Sequence, residues 1–79
     1  MEKQSVLQRV IGVLATMADT DEEITADSEL IEDLGISSMD VLFLISSLEE
    51  EFKIKVPEKQ IRQMVTVGDV ADIITELVG

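Results

Sequence analysis

Gly35-Ile36-Ser37-Ser38-Met39-Asp40-Val41-Leu42-Phe43-Leu44-Ile45-Ser46-Ser47-Leu48-Glu49-Glu50-Glu51-Phe52 is the stretch on which the fold turns. Gly35 permits a tight turn. Ser37, with Asp40 three residues on, has the form of a capping box, in which a hydroxyl and a carboxylate each satisfy a backbone N–H at a helix start. Val41, Ile45, Leu48 and Phe52 then recur at intervals of three and four, so they share one face of a helix of about four turns. Lys53 and Lys55 follow the last turn, where cations suit the negative end of the helix dipole. A helix with one apolar face needs other elements to cover it.

Upstream, Val6, Leu7, Val10, Ile11, Val13, Leu14 and Met17 repeat with the same period and predict a second amphipathic helix. Asp19-Thr20-Asp21 breaks that pattern and opens a long connection to Gly35. Ile24, Leu30, Ile31, Leu34 and Ile36 are spread through this connection and are expected to pin it to the core as an ordered loop. Downstream, Pro57 fits the first position of a short helix carrying Ile61 and Met64. Thr66-Val67-Gly68-Asp69 is a second capping box, launching Val70, Ile73, Ile74 and Leu77 as a last helix. Strand-like alternation of useful length is absent. The fold expected is therefore all-α, a small helical bundle of three main helices plus one short helix, with residues 1–79 as a single domain. Its core should contain Val10, Leu14, Val41, Ile45, Leu48, Phe52, Ile61, Val70 and Ile74.

Composition narrows the function. The chain has 79 residues, 46% of them hydrophobic, near the lower end of what folds without staples. Cysteine is absent, which excludes disulfides, thiolate metal sites and cysteine nucleophiles. Histidine is absent too, removing the usual general base at neutral pH. Phe43 and Phe52 are the only aromatic residues, too few for a platform that stacks nucleic-acid bases. The net charge is −11, and its distribution matters more than its size. From Ala18 to Glu51 there are twelve carboxylates and no lysine or arginine; the six cations are Lys3, Arg9, Lys53, Lys55, Lys59 and Arg62. Such a field repels nucleic acid and anionic lipid and steers basic surfaces toward it, although charge of this kind also simply keeps a small protein in solution. The Met1-Glu2-Lys3-Gln4 start has no basic region leading into an apolar stretch, and the longest aliphatic or aromatic run, Val41 to Ile45, is far too short to cross a membrane. A soluble, cytoplasmic monomer is expected.

The acids invite a metal reading, which fails. Counted from Asp19, a calcium loop needs glycine at its sixth position and a bidentate glutamate at its twelfth, and Ile24 and Leu30 stand there. No dedicated metal site is expected, only loose divalent binding. Intrinsic catalysis is not expected either. Ser37 and Ser38 have no histidine to deprotonate them and no lysine nearby in sequence, and a polar loop gives no cause for the unequal carboxylate pKa values that acid–base work needs.

The remaining signal is Asp33-Leu34-Gly35-Ile36-Ser37-Ser38-Met39-Asp40. It resembles the phosphopantetheine attachment motif of the acyl carrier protein family, Asp-Leu-Gly-x-Asp-Ser-Leu-Asp. Asp33, Leu34, Gly35, Ser38 and Asp40 match; Ser37 stands for the family's aspartate and Met39 for its leucine. The similarity continues through Leu48-Glu49-Glu50-Glu51-Phe52, Val56-Pro57 and Thr66-Val67-Gly68-Asp69-Val70, and so covers most of the chain in order. The resemblance implies that 4'-phosphopantetheine is attached covalently to Ser38 by a phosphopantetheinyl transferase. It further implies that the chain holds acyl intermediates as thioesters for acyl-transferring, condensing or acyl-activating enzymes of lipid or polyketide-like synthesis. The physical reading agrees: a serine in the first turn of a helix, just after a glycine turn, sits exposed, near free backbone N–H groups and the positive end of the dipole. Ser37, by contrast, reads as an ordinary cap. Two alternatives use the same fold, an aminoacyl or peptidyl carrier and an unmodified helical interaction module; strong acidity and stand-alone length favour acyl cargo.

Both departures bear on recognition. The aspartate that Ser37 replaces assists the transferase in the family, so Ser37 affects the efficiency of modification and not its position. Phe43 stands where the family often has glutamate. At roughly 100° per residue it falls opposite Val41, Ile45, Leu48 and Phe52, with Met39 as its i−4 neighbour. Met39, Asp40, Phe43, Ser47, Glu50 and Glu51 are accordingly expected to form a partner-binding face beside Ser38 that meets basic docking surfaces. The competing expectation is that Phe43 folds back on the loop of Ile24 to Ile36.

Overall fold

The structure, a computed structural model, describes residues 2–18 and 23–78. Among these residues the chain forms four helices, α1 (Lys3–Ala15), α2 (Ser38–Phe52), α3 (Glu58–Ile61) and α4 (Val67–Val78). The nearest approach to a strand there is an isolated antiparallel bridge between Glu29 and Thr66. The all-helical fold with three main helices and one short one is as the periodicities predict.

Each long helix lays its apolar stripe on a common core. Val6, Val10 and Leu14 of α1 meet Val67, Val70, Ala71, Ile73 and Ile74 of α4, while Leu44, Ile45 and Leu48 of α2 close the third side. Complete burial of a leucine or isoleucine side chain is worth about 1.5–3 kcal/mol relative to exposure, so these residues dominate the stability of so short a chain.

From residue 23 to Gly35 the long connection is pinned to the core as expected, though one of its pins faces outward. Leu30, Leu34 and Ile36 are buried and Ile24 is half-buried, but Ile31 is 56% exposed. The cause is local. The Leu30 N–H donates to the Val65 carbonyl at 2.9 Å, which commits Leu30 to the interior and leaves its neighbour facing solvent. Two further bonds, Val67 N–H to the Ser28 carbonyl at 2.9 Å and Gly68 N–H to the Ala26 carbonyl at 2.8 Å, lace the loop to the start of α4. Gly68 is required there, since a Cβ would stand 3.0 Å from the Ala26 carbonyl oxygen. The break at Asp19-Thr20-Asp21 lies outside the described residues.

Three expected core residues are corrected. Val41, Phe52 and Ile61 are half-buried and pack against the core from its edge, while Leu44, absent from the expected set, is fully buried. Val41 and Phe52 lie on the correct face of α2 but at its two ends, past the reach of the helices that cover its middle. Phe52 is partly covered by the Arg9 guanidinium, 5.7 Å from its ring centroid. Ile61 ends a helix of only four residues, too short to bury a side chain deeply. Pro57 is the cap of α3 and not its first residue, because its carbonyl already accepts the N–H groups of Gln60 and Ile61. Met64 lies beyond α3, in the turn before α4, and is buried there.

Candidate functional site

The site is the junction of the long loop with α2, and every step into it is set locally. Asp33 Oδ2 accepts the Glu29 N–H at 2.8 Å, closing the turn that carries Leu34 into the core. Gly35 takes φ 68°, a left-handed conformation that costs glycine little and other residues more. Ile36 is then buried, with its N–H on the Leu30 carbonyl at 3.1 Å. These three residues hold the backbone that presents Ser37 and Ser38.

At the head of α2 the capping box is fully formed. Ser37 Oγ accepts the Asp40 N–H at 3.2 Å, and Asp40 Oδ2 accepts the Ser37 N–H at 3.4 Å. Ser37 is thereby occupied as the cap. Ser38, the first residue of the helix, is exposed, and among the hydrogen bonds of the described residues none uses its hydroxyl. The same holds for the backbone N–H groups of Ser38 and Met39, two of the orphan donors that every helix start leaves. One exposed serine hydroxyl therefore stands beside two unpaired N–H groups at the positive end of a 15-residue helix.

Around this point the surface divides in two. One side is a cleft of about 270 Å³ walled by Leu30, Ile31, Val41, Met64 and Val65, with Glu29 and Glu32 beside them. Val41 follows Ser38 by three residues and so faces the same way on the helix. A second hollow, about 250 Å³, is polar and lined by Glu23, Thr25, Asp27, Ser28, Asp33 and Leu34. Among the described residues no group of three or more acidic side chains is placed to hold a metal ion.

Of the face expected on α2, Met39, Asp40, Phe43, Glu50 and Glu51 are exposed. Phe43 is 66% exposed, so it does not fold back on the loop. Ser47 is corrected to half-buried. Complete burial of Leu44 swings the buried face toward the flank where Ser47, its i+3 neighbour, lies. Leu42, 59% exposed, belongs to this surface and was not expected there, nor were Ile31 and Val65 at the cleft. The loop residues carry no periodic signal, but Leu42 had one: it falls off the stripe of Val41, Ile45, Leu48 and Phe52.

A helical bundle presenting an exposed, uncommitted serine at the head of its second long helix suits the class of proteins that carry a covalently attached group. Consistent with that class, the family model described as the phosphopantetheine attachment site matches residues 5–74. An acyl carrier protein of Borreliella burgdorferi is 36% identical over 80 aligned residues, spanning 100% of both chains. One from Clostridium perfringens is 45% identical over 56 residues, 71% of this chain and 74% of that one. A crystal structure of an acyl carrier protein from Thermotoga maritima shares the fold, with a TM-score of 0.81 at 24% identity over 99% of this chain and 92% of that one. The chain belongs to the acyl carrier protein family.

Proposed function

We propose that Ser38 carries the 4'-phosphopantetheine arm and that the chain, as one carrier domain, presents acyl thioesters to successive enzymes without catalysing any step itself. The observation that carries this reading is the division of labour at the head of α2. Ser37 is consumed as the cap, whereas Ser38 is exposed with a free hydroxyl. When bound, the arm supplies a thiol that holds the acyl group as a thioester. The residues of the chain do the rest. Ser38 Oγ would provide the ester oxygen of the phosphodiester as the phosphoanhydride of a nucleotide-linked phosphopantetheine donor breaks and the nucleotide phosphate leaves, and its proton would pass to a base of the phosphopantetheinyl transferase, since no base of the described residues hydrogen-bonds it. The N–H groups of Ser38 and Met39, with the helix dipole behind them, suit the negative charge that the phosphodiester leaves beside them.

The cleft supports the cargo half of the reading. Its walls are largely apolar, and Val41, one turn on from Ser38 in α2, is one of them. At about 270 Å³ it sits just under the usual range of ligand pockets, roughly 300–1,000 Å³, and fits the aliphatic part of an acyl chain better than a charged aminoacyl group. The acids of α2 suit the basic docking surfaces of acyl-transferring, condensing or acyl-activating partners.

Co-expression with a broad-specificity transferase tests the assignment. Intact mass should rise by one phosphopantetheine, and tandem mass spectrometry should place it on Ser38. Ser38→Ala should keep its helical circular dichroism and stay unmodified. Modification that survives in Ser38→Ala, or that maps to Ser37, overturns the reading.

A further inference from the structure

We infer that Met39 is an oxidation site that governs loading of Ser38: a hydroperoxide turns its thioether into the sulfoxide, and the oxidised chain accepts the arm poorly until the sulfoxide is reduced. The inference rests on Ser38 as the attachment residue and deepens that reading by naming a regulation of it.

Composition confines oxidation to few atoms. Cysteine, tryptophan, tyrosine and histidine are all absent, so the sulfurs of four methionines are the most readily oxidised groups of the chain. Burial then separates them. Met64 is 8% exposed, in the wall of the cleft, and Met17 is half-buried against the core. Met39 is 79% exposed and takes no part in the core, so an oxidant meets its sulfur freely and the fold loses nothing when it reacts. Met1 lies outside the described residues.

In the step itself, a lone pair of Met39 Sδ attacks the terminal oxygen of the hydroperoxide, the O–O bond breaks and a sulfur–oxygen bond forms. Sulfur gives up two electrons; the peroxide is reduced and leaves as water or an alcohol, keeping the hydroperoxide proton. Two thiols reverse the change: they pass two electrons to the sulfoxide, its oxygen leaves as water, and the thiols end as a disulfide, as in sulfoxide reductases. The product differs from the thioether where Ser38 is affected. Long side chains in a helix lean back toward its N-terminus, so Met39, the second residue of α2, leans over the end that carries Ser38. Oxidation puts a polar, chiral group with a strong acceptor oxygen in place of apolar surface there. Among the described residues that end keeps the N–H groups of Ser38 and Met39 free, and the sulfoxide oxygen competes for these donors with an incoming phosphate.

The test uses the full unmodified chain, hydrogen peroxide and the broad-specificity transferase, with the peroxide removed before the transferase is added. Peptide mapping after brief treatment should find the sulfoxide at Met39 ahead of Met17 and Met64, with helical circular dichroism unchanged. The kcat/KM for modification should then fall roughly tenfold, the scale of one lost apolar contact, and return after treatment with a sulfoxide reductase and a dithiol. In Met39→Leu the kcat/KM before and after peroxide should be equal, whatever its starting value, while Met17→Leu should keep the full loss. Met39→Gln, which places a polar group there without oxidant, should be loaded as slowly as the oxidised parent. Unchanged kcat/KM in a chain carrying the Met39 sulfoxide overturns the inference while leaving Ser38 in place. So does an equal loss in Met39→Leu, a Met39→Gln loaded as fast as the parent, a sulfoxide that forms first at Met17 or Met64, or a helical signal lost on oxidation. A parent chain that gains no mass before oxidation refutes the attachment reading instead.

Discussion

Leu42 and Leu44 offer a sharp test of how α2 sits in the bundle. They are the same residue, two positions apart in one helix, and Leu→Ala changes their helix propensity equally. Leu44 is 0% exposed and Leu42 is 59% exposed. For Leu44→Ala the lost transfer energy and the cavity left behind should together cost about 2–5 kcal/mol. The whole domain is expected to hold roughly 4–12 kcal/mol, at about 0.05–0.15 kcal/mol for each of its residues. At about 4–8 °C per kcal/mol for a chain of this size, a mid-range loss of about 3.5 kcal/mol lowers the melting temperature by roughly 14–28 °C. Leu42→Ala leaves no cavity and should stay within about 0.5 kcal/mol of the parent. Urea titration followed by circular dichroism measures both. Equal losses, or a larger one for Leu42→Ala, would mean that α2 is rotated from the orientation described and that its exposed face is another one.

The second capping box makes stability depend on acid. The Asp69 carboxyl is held below its ordinary pKa, chiefly by the Thr66 N–H donating to it at 3.0 Å; burial opposes this, and the Val65 N–H and the Thr66 hydroxyl add to the lowering. A lowered folded pKa means the stabilisation is present above the unfolded value, about 3.9, and lost as pH falls through the folded one. Asp69→Asn should thus melt lower at neutral pH, by about 1 kcal/mol, and the gap should close below pH ~4; a gap that persists unchanged into strong acid refutes the assignment. The C-terminus of α2 gives a stabilising change. Lys53 ends the helix at φ 56°, ψ 51°, the left-handed conformation that disfavours side chains, so Lys53→Gly should raise stability by roughly 1 kcal/mol in denaturant titration, and a drop would show that Lys53 makes compensating contacts.

Much of the site was legible because its devices are short. Ser37 with Asp40, and Thr66 with Asp69, satisfy backbone N–H groups three residues away, so the residues needed to recognise them stand together in the chain. Gly35 announces its turn by lacking a Cβ. Helix periodicity likewise put Val6, Val10 and Leu14, and Val70, Ile73 and Ile74, on the faces that are buried. The first of the acidic residues of the long loop, at 19–22, lie outside the described residues.

What the sequence determined by itself, then, is what neighbours along the chain decide: that there are helices, where α2 and α4 begin, and that Ser37 caps while Ser38 follows it. Which of two adjacent apolar residues turns inward depended on elements far away in the chain. Leu44 is buried because it lies mid-helix, where α2 meets α1 and the shared core, while Val41 and Phe52 lie toward its ends. Leu30 is buried and Ile31 exposed because a backbone bond to Val65, thirty-five residues on, fixes the turn between them. The cleft is walled by the loop, α2 and the Met64-Val65 turn, three segments far apart in the chain that only the tertiary fold brings together. Periodicity reports which side of a helix is apolar; only packing against distant segments settles how much of that side is covered, since burial is a property of the neighbours and not of the residue.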